Sequence, residues 1–80
     1  MSDFTVRIPR VSVAISEATL VDQLVEEGGH VSEGNPLFVI ETEKVETEIV
    51  AGASGTVHWT SELQTVYEVG AEIGVIQEAG

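Results

Sequence analysis

The feature that most constrains the fold of this chain is a repeat at about half its 80-residue length. Ala18-Thr19-Leu20 returns as Gly55-Thr56-Val57 at a spacing of 37, and Gly34-Asn35-Pro36-Leu37-Phe38-Val39-Ile40 returns as Gly70-Ala71-Glu72-Ile73-Gly74-Val75-Ile76 at 36. Two like halves in so short a chain predict a pseudo-twofold fold. On this reading the stretch 4–8 is the counterpart of 45–49. The turn Thr42-Glu43-Lys44 then corresponds, in the other half, to the gap between the C-terminus and the N-terminus. The termini are expected at the end of the domain opposite Lys44, where a tether would hold the lysine turn outward.

The elements are strands. Apolar and polar residues alternate in Phe4-Thr5-Val6-Arg7-Ile8 and in Val45-Glu46-Thr47-Glu48-Ile49, the period of a strand with one buried face. Residues 18–27 place Leu20, Val21, Leu24 and Val25 at helical spacing, but the segment is short, lacks a clear cap and runs into Gly28-Gly29, so a strand is expected there. Gly34-Asn35-Pro36, Gly52-Ala53-Ser54-Gly55 and Val69-Gly70 cut the rest into short strands, the pattern of a small sandwich or barrel. The expected core is Leu20, Leu24, Val31, Leu37, Val39, Val57, Ile73 and Val75. The chain is read as one domain, residues 1–80, burying ~60–65% of the surface its unfolded chain exposes. Its 42% hydrophobic content is well above that of chains too polar to fold.

Charge narrows the partners. Fourteen Asp and Glu residues stand against only Arg7, Arg10 and Lys44, for a net charge of −11. Such a chain is repelled by nucleic acid and by anionic membrane surfaces, and suits a basic protein surface. There is no cysteine, hence no disulfide, thiolate or cysteine zinc site. The N-terminus lacks a basic segment followed by an apolar one, so a soluble, cytoplasmic protein is expected. His30 and His58 have no third placed ligand and are read as hydrogen-bonded or solvent-facing rather than metal-binding. Gly28-Gly29 and residues 52–55 lack the lysine and helix of a phosphate loop, and Ser54, Ser61 and His58 have no oxyanion context. No catalytic residues are found, and the chain is not expected to be an enzyme in its own right.

Lys44 is the only lysine, and it stands in Glu41-Thr42-Glu43-Lys44-Val45-Glu46-Thr47-Glu48. Strands on either side put Glu43-Lys44 at the reversal. Without glycine or asparagine a primed turn is disfavoured and a type I turn is expected. The spacing alone is also that of a charged hairpin tip that blunts aggregation. Flanking carboxylates stabilise the ammonium form, the reverse of what a nucleophilic lysine requires. If Lys44 has chemistry, it is as the target of another enzyme.

Glu41-Thr42-Glu43-Lys44-Val45 followed by Glu48-Ile49 resembles the lipoylation motif of lipoyl domains in the biotinyl/lipoyl-carrier family, where an acidic residue precedes the modified lysine and a small one follows. Gly28-Gly29-His30-Val31, Gly34-Asn35-Pro36-Leu37, Gly55, Ile8-Pro9 and Gly70 with Ile73 fit the same family, so the likeness runs over 4–78. The family's Asp-Lys-Ala core is Glu43-Lys44-Val45 here, which keeps the charge and enlarges the following residue. The loop 10–16 lacks the family's glycines and acids.

The resemblance implies an all-β fold, a flattened β-barrel or sandwich of two four-stranded antiparallel sheets with pseudo-twofold symmetry. It further implies lipoate amide-linked to Lys44, a swinging arm carrying acyl intermediates within a 2-oxo acid dehydrogenase complex, and recognition through Glu41, Glu43, Val45, Glu46 and Glu48, with Gly28 and Gly55. The implied partners are a lipoate ligase or lipoyl transferase and the 2-oxo acid decarboxylase, acyltransferase and dihydrolipoamide dehydrogenase components, with the isolated domain monomeric and the parent chain an acyltransferase. Two alternatives remain. Biotin carriers share the fold but present their lysine between methionines, and the only methionine here is Met1. The other is an unmodified acidic interaction module.

Overall fold

The computed structural model describes residues 3–11, 13–43 and 45–78. Its strands are β1 (Asp3–Arg7), β2 (Glu17–Gln23), β3 (His30–Val31), β4 (Pro36–Glu41), β5 (Glu46–Val50), β6 (Gly55–Trp59), β7 (Thr65–Glu68) and β8 (Glu72–Gln77), and among the described residues there is no helix. They form two four-stranded antiparallel sheets, ordered β1-β8-β6-β3 and β5-β4-β2-β7. Exchanging β1 with β5, β2 with β6, β3 with β7 and β4 with β8 turns one order into the other, the pseudo-twofold that the repeat predicts. Register carries the symmetry down to residues: Leu20 pairs with Ile40 as Val57 pairs with Ile76. Phe4 faces Ile76 as Thr47 faces Ile40, so the correspondence of the first strands lies two residues along from an alignment of 4–8 with 45–49.

One expectation needs correction. The sheets are not closed into a barrel; β1 and β3 edge one sheet, β5 and β7 the other. With β3 only two residues long and β7 four, there is little ladder with which to join the sheets at that side, and the architecture is a sandwich.

Its core is Val6, Ile8, Leu20, Val31, Leu37, Phe38, Ile40, Val57, Ile73 and Ile76 with Ala18, Ala51 and Ala53. Leu20, Val31, Leu37, Val57 and Ile73 are buried as expected. Leu24 is not: β2 stops at Gln23, the chain bends, and Leu24 is left exposed while Val25 packs on the core. Val39 and Val75 are only half-buried. The reason is a matched pair of bulges. Pro36 faces Val50 and Phe38 faces Ile49, which leaves Leu37 as an extra residue; Glu72 faces Arg7 and Gly74 faces Val6, which leaves Ile73. Each bulge shifts the inward phase by one residue. Leu37 and Phe38 both turn inward, followed by Ile40, and Ile73 and Gly74 are followed by Ile76. Trp59 and Tyr67 pack against this core. The Trp59 indole N–H donates to the Val25 carbonyl at 2.8 Å, and its ring stands edge-on to Phe38.

The strands set two distinct ends on a molecule 38 Å long. The turn between β7 and β8 ties the exit of β1 to the start of β2, with the Val69 N–H donating to Ser16 and the Gly70 N–H to Ile8. That is the end at which Thr19 pairs with Glu41 and Glu41 with Glu46. β1 begins at the other end, where Asp3 pairs with Gln77.

Candidate functional site

β4 and β5 form a hairpin whose register, Ile40 to Thr47 and Glu41 to Glu46, continues through the Thr42 N–H, which donates to the Val45 carbonyl at 2.9 Å. That leaves residues 43 and 44 as a two-residue connection. Among the described non-glycine residues only Gln64 has positive φ. Glu43 therefore has the negative φ that excludes both primed turns and agrees with the type I expectation. Lys44 itself lies outside the described residues. Its neighbours Glu43 and Val45 are exposed, as are Glu41, Glu46 and Glu48. Thr47 and Ile49 are half-buried between them, because successive strand residues point to opposite faces. The hairpin thus gathers five of the predicted recognition residues: Glu41, Glu43, Val45, Glu46 and Glu48.

Gly28 and Gly55 stand apart from it. Gly28, with φ of +80°, makes the turn after β2, and its N–H donates to the Val57 carbonyl at 2.8 Å. Gly55 opens β6 and shares a groove with Phe4, Gly52 and Glu78 at the Asp3 and Gln77 end. A Cβ on Gly55 would run into the Gln77 carbonyl oxygen. What both residues do in this structure is done by the backbone.

Sequence reasoning did not find the groove beside the hairpin. Residues 14–19, which lead into β2, lie against Glu41, Thr42 and Glu43, with Val66 of β7 across from them. Two pairings assemble it, since Thr19 faces Glu41 on one side and Val66 on the other, while Glu17 faces Glu68. These neighbours are remote in sequence, and a period-2 pattern names the faces of a strand without naming what lies beside it.

Among the described residues none of Glu17, Glu41, Glu43, Glu46 and Glu48 forms an ion pair; the pair that does form is elsewhere, between Glu27 and His58 at 2.9 Å. The Glu27 carboxylate also accepts the Trp59 N–H at 2.7 Å. These bonds, the backbone one foremost, hold the Glu27 carboxyl below the usual carboxylate range. His58 is thus a hydrogen-bonded surface histidine, and His30 is exposed on β3. Among the described residues, Glu41, Glu43, Glu46 and Glu48 are thus exposed and without an ion-pair partner on either side of residue 44, with β4 and β5 anchoring both sides.

Known proteins share these features. The biotin/lipoyl family profile, described as biotin-requiring enzyme, matches residues 4–76. The chain is 32% identical over 74 residues to the dihydrolipoyllysine-residue succinyltransferase component of the 2-oxoglutarate dehydrogenase complex of Bacillus subtilis (strain 168), covering 91% of this chain and 18% of that protein. It is 51% identical over 39 residues to the biotin carboxyl carrier protein of Streptococcus mutans, covering 49% of this chain and 30% of that one. The chain therefore spans well under half of either relative. In fold it is similar to the solution structure of the lipoyl domain of the 2-oxoglutarate dehydrogenase complex from Azotobacter vinelandii, with a TM-score of 0.77, 23% identity, and coverage of 95% of this chain and 98% of that one. With the hairpin, the internal symmetry and a profile match over nearly its whole length in agreement, the chain belongs to the biotinyl/lipoyl-carrier family and is a carrier domain of it.

Proposed function

We propose that Lys44 carries lipoate and that the domain serves a 2-oxo acid dehydrogenase complex as its swinging arm. The observation that carries this reading is the two-residue connection between Thr42 and Val45, with Glu43 and Val45 exposed on either side of residue 44 and the Thr42 N–H donating to the Val45 carbonyl at its base. An amide between the Lys44 Nζ and the lipoate carboxyl removes the lysine's charge. Once attached, lipoate supplies a dithiolane that carries acyl groups between active sites. The chain's own part is to hold the attachment point outward on a rigid hairpin and to offer Glu41, Glu43, Glu46 and Glu48 as recognition charges. Tethering raises the effective concentration of the carried group at each partner. The partners on this reading are a lipoate ligase or lipoyl transferase and the decarboxylase, acyltransferase and dihydrolipoamide dehydrogenase components. The likeness to a succinyltransferase component over 91% of the chain supports lipoate over biotin.

Biotin is the second reading, favoured by the 51% identity to a biotin carboxyl carrier protein over half the chain. Intact-mass analysis with peptide mapping separates the two. Incubation with a lipoate ligase, ATP and lipoate is expected to add one lipoyl group to Lys44 and nothing to Lys44→Arg, and incubation with a biotin ligase is expected to add nothing. A biotinyl increment without a lipoyl one reverses the assignment. No increment from either ligase on the folded protein refutes the carrier reading for those ligases.

A further inference from the structure

A strand at the edge of a sheet offers a row of unpaired N–H and C=O groups on which another chain can pair. Three of the four edges here are poor templates: β3 has two residues, β7 has four with Glu68 as its charge, and β5 carries Glu46 and Glu48 with no cation. β1 differs. It runs Asp3-Phe4-Thr5-Val6-Arg7 with no net charge, in a chain of net charge −11 that has only three cations. The direction of its backbone groups follows from Ile8, whose N–H donates to the Ala71 carbonyl and whose carbonyl accepts the Gly70 N–H. Alternation along the strand turns the groups of Phe4 and Val6 toward β8 in the same way and those of Asp3, Thr5 and Arg7 outward. The sequence of β1 is therefore self-complementary about Thr5. An antiparallel copy centred there sets Thr5 against Thr5, and Asp3 and Arg7 against the second copy's Arg7 and Asp3, each pair exchanging both of its outward hydrogen bonds.

The side chains fit the same arrangement. Phe4, 38% exposed, falls opposite the second copy's Val6 in the closer, non-hydrogen-bonded position, and aromatic with β-branched, like cation with carboxylate, is a stabilising cross-strand pair. Glu72 faces Arg7 from β8, but among the described residues neither Arg7 nor Asp3 forms an ion pair. The Arg7 Nη1 donates to the Gly70 carbonyl at 2.9 Å, which uses one of the five N–H donors of the guanidinium. We propose that β1 is a docking edge for a second copy of this chain, and that two copies pair through it as an isologous dimer whose twofold axis passes beside Thr5. The pairing joins β1-β8-β6-β3 to its like in one continuous sheet and covers the apolar groove between β1 and β5, lined by Phe4, Val6, Leu37, Ile49 and Val50. The joined sheet ends in two copies of the two-residue β3, so the assembly closes at the dimer. One short ladder makes a small, weak interface, and repulsion between two acidic copies opposes it. The dimer therefore forms at high protein concentration, and the monomer implied by the family resemblance describes the dilute domain.

The test is a dilution series of the unmodified 80-residue chain from ~1 mM downward, by sedimentation and 1H–15N NMR at ~0.15 M salt, where repulsion is screened beyond ~8 Å. A dimer is expected, with concentration-dependent shifts confined to β1 and the groove beside it. Asp3→Lys and Arg7→Glu each set like charges opposite one another at both ends of the ladder, and each variant alone is expected to self-associate about tenfold or more weakly. Mixed in equal amounts they are expected to pair as the parent does, because the lysine at 3 then faces the glutamate at 7 while the unaltered Arg7 and Asp3 face each other. Asp3→Lys also lowers the net negative charge, so association without this register would be strengthened by it. Asp3 faces the neutral Gln77, and Asp3→Lys is expected to keep the parent's Tm; it decides the matter alone if Arg7→Glu, across from Glu72, is destabilised. No dimer at ~1 mM, parent-like association of Asp3→Lys, a mixture no tighter than either variant, or shifts centred on β5 or β7 would each overturn the proposal. Because the unmodified chain is used, such a failure leaves the carrier reading standing, and failure of lipoylation leaves this one.

Discussion

Gly55→Ala separates a backbone role for this glycine from a recognition role. A Cβ at residue 55 would lie 2.8 Å from the Gln77 carbonyl carbon and 3.0 Å from the Glu78 Cα, with the Gln77 carbonyl oxygen nearer still. All three are backbone-chain atoms, so no side-chain rotation relieves the contact; the start of β6 must move away from the end of β8, where Thr56 pairs with Gln77. Overpacking of this kind costs ~1–3 kcal/mol, and loss of one ladder hydrogen bond adds about 1 kcal/mol. The sum, ~2–4 kcal/mol, is a large part of the ~4–12 kcal/mol expected of an 80-residue domain. In a domain of this size each kcal/mol moves Tm by ~4–8 °C, so a fall of at least 8 °C is expected by circular dichroism or calorimetry. Gly34→Ala is the control: φ is +91° there, but a Cβ meets nothing within 4 Å, so only the ~1–2 kcal/mol cost of a left-handed alanine applies. At a temperature where Gly55→Ala is still folded, Lys44 is expected to be modified at the parent's rate, because Gly55 lies at the end away from the hairpin. A Tm within 2 °C of the parent's refutes the packing argument, and slowed modification of the folded variant restores Gly55 to recognition.

Three further outcomes follow from individual contacts. The Glu27 carboxyl is held low chiefly by the Trp59 N–H and then by His58, so its contribution is complete above the usual carboxylate range and is lost as pH falls through the depressed value. Urea unfolding across the acid range is therefore expected to show the stability advantage of the parent over Glu27→Gln shrinking as pH falls; an advantage that grows would contradict the clamp. Gln64 holds φ at +60° in the turn before β7, so Gln64→Gly is expected to raise stability by ~0.5–1 kcal/mol, the relief of ~1–2 kcal/mol reduced by loss of the 3.3 Å bond from its Nε2 to the Val21 carbonyl. A lower Tm would show that the side-chain bond outweighs the backbone strain. Glu68→Lys replaces the repulsion across from Glu17 with attraction and is expected to add ~0.5–1 kcal/mol at low salt, a gain that fades as added salt screens it; a gain independent of salt would have another cause.

The repeat and the lone lysine were legible in the sequence because each is a local signal that the fold does not override. Equal halves left their mark in spacings near 36, and the hairpin followed from an apolar stretch and an alternating one on either side of Thr42-Glu43-Lys44. The bulges left no such mark. Leu37-Phe38-Val39-Ile40 is apolar throughout, so no polar residue records where the inward phase slips, and Val39 stood in for Ile40. Ile73-Gly74-Val75-Ile76 hides the same slip behind a glycine that is itself buried against its neighbours. Leu24 was misplaced because helical and strand spacing both include it, and only the end of β2 at Gln23 takes it out of the core. The groove partners Glu17 and Val66 needed the strand order, which alternation does not encode.

The two ends of the sandwich illustrate how a duplicated fold can be specialised at one end. At the Asp3 and Gln77 end the Phe4 ring lies so close to Gly52 that an added Cβ would be 2.7 Å from it, and the connection from β5 to β6 takes only residues 51–54. At the hairpin end the position of Phe4 is held by Thr47, and the corresponding connection, from β1 to β2, runs through residues 8–16. One end is thus short, glycine-rich and tightly apposed, and it joins the first and last strands in a ladder. The other has the longer loop and the hairpin of β4 and β5, with Glu41, Glu43, Glu46 and Glu48 exposed along it. The two sheets repeat one strand order, so what differs between the ends lies in the connections and in the exposed residues rather than in that order. Those differences lie outside the buried core, so the core and the exposed positions of the hairpin end can vary separately in sequence.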